Sequence, residues 1–200
     1  MINKLLSFIG KFFTSKTEEV EILDGIYFHE DFFRQVEFLP KENYNFLKNE
    51  NLKIREFSDE HSDGNGLFTD IFVREEEVST SIADRKIELT DFELTLNILE
   101  LQRISNVYTG YSNYKERCDD MFAYQFDSAQ IFVVIDEKYV KDLFVTGFRF
   151  FEDETIKNKL EEVLFEIGAK YRLILNDWDL TEVVDLSDKI EIRKYLNEQL

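Results

Sequence analysis

Ile131-Phe132-Val133-Val134-Ile135 is the stretch on which the fold class turns. Five β-branched or aromatic residues in succession leave neither face polar, so they predict a strand covered on both sides in the middle of a sheet. Around it, Val107 to Tyr111, Met121 to Phe126 and Leu143 to Phe151 read as neighbouring strands. The next element is a helix: Ile156, Leu160, Val163, Leu164 and Ile167 fall on one face, with Asp153 and Glu154 at its positive end. Gly168 is placed to terminate it. Tyr171 to Leu175 then reads as a short strand, and Ser187 as the cap of a last helix carrying Ile190, Ile192, Tyr195 and Leu196.

Towards the N-terminus, Glu21 to His29 and Phe33 to Leu39 predict a strand pair ended by Pro40, which has no N–H to give a ladder. Lys41 to Glu50 suggests a short exposed helix, and Leu52 to Phe57 a strand. Ser58 to Gly66 is turn-rich, and a strand through Phe68, Ile71, Phe72 and Val73 is expected after it. Thr90 to Ile104 admits two readings. Phe92, Leu94, Leu96 and Ile98 alternate, whereas a Thr90/Glu93 capping box and the stripe Leu89, Phe92, Leu96, Leu99 favour helix, the reading adopted. Strands and helices follow no β-α alternation and nothing repeats. The expectation is an α+β fold, with a mostly antiparallel sheet and a few packed helices.

Composition narrows the function. The 200 residues carry 42 Asp+Glu against 24 Lys+Arg, a net charge of −18, and no sequence-wide excess of Gly or Pro (7 and 1). With 20 Phe and 9 Tyr the chain can bury a core, unlike a disordered acidic chain. Its acidity opposes nucleic-acid binding, which needs a Lys/Arg surface to displace counterions. No apolar run approaches the about 18 residues that a membrane span requires. The single cysteine, Cys118, precludes an internal disulfide and suits a reducing compartment. Residues 1–16 hold Lys4, Lys11 and Lys16 with no acid, and Leu5, Leu6, Phe8, Ile9, Phe12 and Phe13 recur at helical steps. They read as a basic amphipathic arm on a single acidic domain, 17–200, with a cytoplasmic location expected.

Few residues suggest chemistry. Asp59, His61 and Asp63 occupy positions 1, 3 and 5 of a calcium-loop pattern, with Gly64 at position 6 and Asp70 at position 12. His61 offers nitrogen where oxygen is wanted, Asp70 is shorter than the usual Glu, and Asp-Gly and Asn-Gly are ordinary turn pairs. The only histidines are His29 and His61, and no zinc-ligand spacing is present. A Cys118–His29 nucleophile pair is conceivable, but Cys118 sits among Arg117, Asp119 and Asp120 at a strand end. There is neither a phosphate-binding Gly-rich loop nor a nucleophile elbow. No cofactor and no metal are expected.

The acid runs carry more. Asp59, Glu60 and Asp63, then Glu75, Glu76 and Glu77, then Asp177 and Asp179 around Trp178, are the candidate partner-binding residues. Such a field steers in a cationic partner. Trp178 would anchor an interface if exposed and would otherwise be a core-edge residue.

Gly25-Ile26-Tyr27-Phe28-His29-Glu30-Asp31 through Glu37-Phe38-Leu39-Pro40-Lys41-Glu42-Asn43 resembles immunity proteins of bacterial polymorphic-toxin and type VI secretion systems. Leu173-Ile174-Leu175-Asn176-Asp177-Trp178 through Val184-Asp185-Leu186, and the Lys/Phe-rich leader ending at Lys16, are similar in style to them. The resemblance implies a cytoplasmic α+β protein without catalysis that binds one cognate toxin and blocks its active site; the acidic surface adds the expectation that this toxin is basic. It identifies no contact residue. The alternatives are a small metal-dependent enzyme using the Asp59–Asp70 loop, or an adaptor in a larger assembly.

Overall fold

A computed structural model describes residues 25–64, 69–73, 78–110, 114–148 and 152–197. The basic arm, 1–16, lies outside them. The fold is α+β, built on a seven-stranded sheet with a three-stranded sheet beside it. The strands are β1 (Ile26–His29), β2 (Val36–Pro40), β3 (Gln102–Ile104), β4 (Val107–Gly110), β5 (Glu116–Arg117), β6 (Met121–Phe126), β7 (Ala129–Asp136), β8 (Tyr139–Thr146), β9 (Leu173–Asp177) and β10 (Glu182–Asp185). The helices are α1 (Tyr44–His61), α2 (Ile82–Arg85), α3 (Leu89–Ile98), α4 (Glu154–Tyr171) and α5 (Lys189–Asn197). The large sheet, ordered β10-β9-β2-β8-β7-β6-β3, is antiparallel throughout. β1 and β4 pair in parallel in the small sheet.

The two-sided strand β7 explains the layering. Ile131 and Val133 face a core shared with Phe92 and Leu96 of α3, Leu160, Val163, Leu164 and Ile167 of α4, and Ile192, Tyr195 and Leu196 of α5. Phe132 and Val134 face the other way, into a second core with Phe28 of β1 and Val107 of β4. There Phe132 stacks on Phe144 with centroids 4.7 Å apart, and Phe28 meets both rings at 5.0 and 5.3 Å. Three rings thus clamp the small sheet onto β7 and β8. On the same side, α1 covers the other half of the sheet, with Leu47 against Leu39 of β2 and Ile174 of β9.

Several expectations are corrected. β1 and β2 do not form a pair, because each joins a different sheet. Leu52 to Phe57 is not a strand but the middle of α1. Ile71 to Val73 are not in a strand, and Phe68 lies outside the described residues. The helix adopted for Thr90 to Ile104 holds only to Ile98, since Gln102–Ile104 forms β3; within α3, Phe92 and Leu96 are buried while Leu94 and Ile98 face solvent. It starts one residue before Thr90, after Glu88, without a side-chain cap. α4 runs past Gly168 to Tyr171, where Arg172 in the left-handed region ends it. Gly168 is needed for close approach instead: a Cβ there would stand 2.1 Å from the Leu186 Cβ. Asp188 rather than Ser187 caps α5, its Oδ1 accepting from Ile190 N–H at 2.8 Å, while Ser187 donates to Asp185.

Candidate functional site

The exposed C-terminal end of α1 gathers acidic residues. Between Arg55 and Arg74 the chain holds Glu56, Asp59, Glu60, Asp63 and Asp70 and no lysine or arginine. Glu56, Asp59 and Glu60 lie in the last two turns of α1, where the helix dipole is already negative, so the local fold gains nothing from their charge. His61 ends the helix, stacked on Phe57 at 4.0 Å with Nδ1 2.9 Å from the Phe57 carbonyl oxygen. Residues 69–73 fold back on this end: Thr69 N–H donates to the His61 carbonyl oxygen at 3.0 Å, and Phe72 packs edge-on against Phe57. Phe72 is thereby covered, whereas Ile71 and Val73 stand 81% and 73% exposed beside the acids. Apolar side chains rimmed by like charges are what a docking surface offers and what a solitary soluble surface avoids.

Three of the expected residues, Asp59, Glu60 and Asp63, are therefore exposed together. Glu75, Glu76 and Glu77 lie outside the described residues. Asp177, expected on the surface, is instead fully buried. Its Oδ2 accepts from the Tyr195 hydroxyl at 2.8 Å and its Oδ1 from Leu180 N–H at 3.0 Å, so it ties β9 to α5 and to the β9–β10 turn. Trp178 is half-buried, its indole N–H donating to Glu37 Oε1 at 2.9 Å, which makes it a core-edge residue. Glu37 is itself buried on β2 and also accepts from Arg34 Nε at 2.6 Å. Asp179 is exposed.

The calcium-loop pattern does not survive the geometry. Asp59 and His61 belong to the last turn of a helix rather than to a loop, and Asp70 Oδ1 is engaged by Ile71 N–H at 2.8 Å. Among the described residues, no group of three or more His, Cys, Asp or Glu side chains is placed to hold a metal ion. Burial pushes the Cys118 thiol up from its usual pKa, and Asp120, Glu116 and Asp119 add to the rise, which is opposite to what an activated nucleophile needs.

Beside the acidic end runs a groove of about 380 Å³ that the sequence did not reveal. α1 supplies one wall through Tyr44, Lys48, Asn51, Leu52 and Arg55, and α5 the other through Glu191, Lys194 and Tyr195. Its floor is the Thr181–Val184 stretch, along the outer edge of β10. Thr181 holds a φ of 53°, an uncommon choice for a β-branched residue, and is clasped by Arg55 through both its hydroxyl and its carbonyl. The spacing of Tyr44, Lys48, Leu52 and Arg55 was the available signal, but it is legible only once α1 is known to be a helix.

Among the described residues no helix is long and apolar enough to cross a membrane. No family model matches the chain, and neither a curated protein nor a solved structure is similar enough to it to count as a match.

Proposed function

We propose that the protein is a non-catalytic inhibitor: an immunity protein that binds a basic toxin in the bacterial cytoplasm and neutralises it. The observation that carries this reading is the end of α1. Five acids follow one another in sequence without a lysine or arginine between them, three of them at a helix terminus that disfavours negative charge, and the segment carrying the exposed Ile71 and Val73 folds back onto that end. Charge held where it costs the fold is best explained by a partner of opposite sign. The same field repels nucleic acid.

The test is co-expression with the polypeptide encoded by the neighbouring gene, followed by growth and binding measurements. Protection of the cells, and a complex that weakens as salt rises, are expected. An unprotected culture, or affinity indifferent to salt, contradicts the proposal.

A further inference from the structure

β10 ends the large sheet, so one side of its backbone meets β9 and the other meets none of the described strands. Strand backbones alternate, sending the N–H and C=O groups of every second residue to the same side. The outward set is identified by Asp185, whose N–H donates to Glu191 Oε2 at 2.8 Å. Val183, two residues earlier in the same strand, therefore also turns its N–H and C=O outward. Beyond the other end of the strand, the Thr181 carbonyl oxygen accepts from Arg55 at 2.5 Å. Side chains cover the two ends of this edge, in the usual manner of protected edges. The middle opens into the groove.

The walls select the occupant. α1 stands on one face of the sheet and α5 on the other, both beside β10. A second sheet edge bearing its own flanking helices would collide with them, but a single extended segment fits between. The groove-lining stripe of α1, Tyr44, Lys48, Leu52 and Arg55, continues to Asp59, four residues and about 6 Å beyond Arg55. Asp59 is one of the exposed acids that follow Arg55, so the groove leads into the acid-rich end of the helix.

We propose that β10 accepts an extended peptide segment as an eighth strand, held between α1 and α5, with Lys or Arg side chains on one flank lying against Asp59 and the end of α1. The main-chain bonds to Val183 fix the strand, and the charged flank fixes its direction. The proposal rests on the basic-partner reading above for that flank alone.

The probe is a fluorescein-labelled decapeptide with an alternating Thr-Val core and a Lys-Lys flank, titrated by anisotropy onto the full chain. Binding is expected, with a shift of the Val183 amide resonance in ¹⁵N-labelled protein. Val183→Pro removes an outward N–H and no bond to β9, so it should unfold at a similar temperature yet bind about tenfold more weakly. The same peptide N-methylated at alternate amides should lose binding to the wild-type protein. Asp59→Lys should weaken binding about threefold to tenfold and flatten its salt dependence. Failure of the parent peptide to bind overturns the proposal. So does equal binding by Val183→Pro and by the methylated peptide; if Asp59→Lys still weakens binding, the acidic reading alone stands. If instead Asp59→Lys and a neutral flank change nothing while Val183→Pro abolishes binding, strand addition stands and the basic flank is refuted.

Discussion

Gly168→Ala should destabilise the protein although alanine is the better helix former. In the last turn of α4 the exchange removes at most about 1 kcal/mol of glycine penalty. The added methyl, however, would sit 2.1 Å from the Leu186 Cβ, 2.7 Å from the Leu186 carbonyl oxygen and 2.8 Å from its carbonyl carbon. Ordinary contact lies near 3.5–4 Å, so α4 and the β10–α5 connection must part by about 1.5 Å. Two of the three atoms are backbone, which no rotamer change can move aside. Overpacking of this kind costs about 1–3 kcal/mol, and backbone involvement places it at the upper end, leaving a net loss of about 2 kcal/mol. For a chain of this size that corresponds to about 4–8 °C in Tm. Urea unfolding followed by the fluorescence of the single tryptophan, Trp178, with calorimetry alongside, reads both quantities. A variant as stable as the parent, or more so, would refute the packing argument and restore Gly168 to the role of a dispensable helix residue.

Other outcomes follow from the buried polar groups. Trp178→Phe keeps an aromatic ring but removes both the N–H that Glu37 accepts and the fluorescent reporter, so urea unfolding followed by circular dichroism should show a loss of about 1–3 kcal/mol. Leu47→Ala, emptying a fully buried position between α1 and the β2–β9 face, should cost about 2–5 kcal/mol by the same assay. Asp185 supplies a pH dependence. Burial raises its pKa, but hydrogen bonds from Lys41 and Ser187 outweigh this and hold it below the usual carboxylate range. Its contribution is therefore fully present above the unfolded-state value near pH 4 and is lost as pH falls through its lower folded value. Asp185→Asn should be less stable than the parent at neutral pH, and stability measured against pH should show that difference shrinking in acid.

What was legible in the sequence was what burial writes into it. β7 is apolar on both faces because α3 and α4 cover one and the small sheet the other. The buried face of α4 repeats at helical spacing because one apolar stripe meets one sheet. α1 was misread because its buried residues are Leu47, Glu50 and Asn51, so a polar pair stands where an apolar stripe would announce a helix. Leu52 and Ile54 then imitate strand alternation, and Leu52 is in fact exposed. β10 escaped notice as a four-residue edge strand, Glu-Val-Val-Asp, with too little pattern to detect. Of the expected surface, Asp59, Glu60 and Asp63 were readable because a run of acids at the end of a polar stretch stays on the surface. Asp177 was not, since a buried carboxylate held by a tyrosine 18 residues away looks the same in sequence as a solvated one.

The central claim, that the acid-only end of α1 receives a basic protein, meets its most direct test in a charge reversal. Asp59, Glu60 and Asp63 are changed together to lysine, and the dissociation constant for the neighbouring gene's product is measured from low salt to about 1 M, where the screening length falls to about 3 Å. The account predicts a loss of about tenfold to a hundredfold at low salt that vanishes at high salt, with the protein's own stability nearly unchanged. Unaltered affinity at every salt concentration would contradict it.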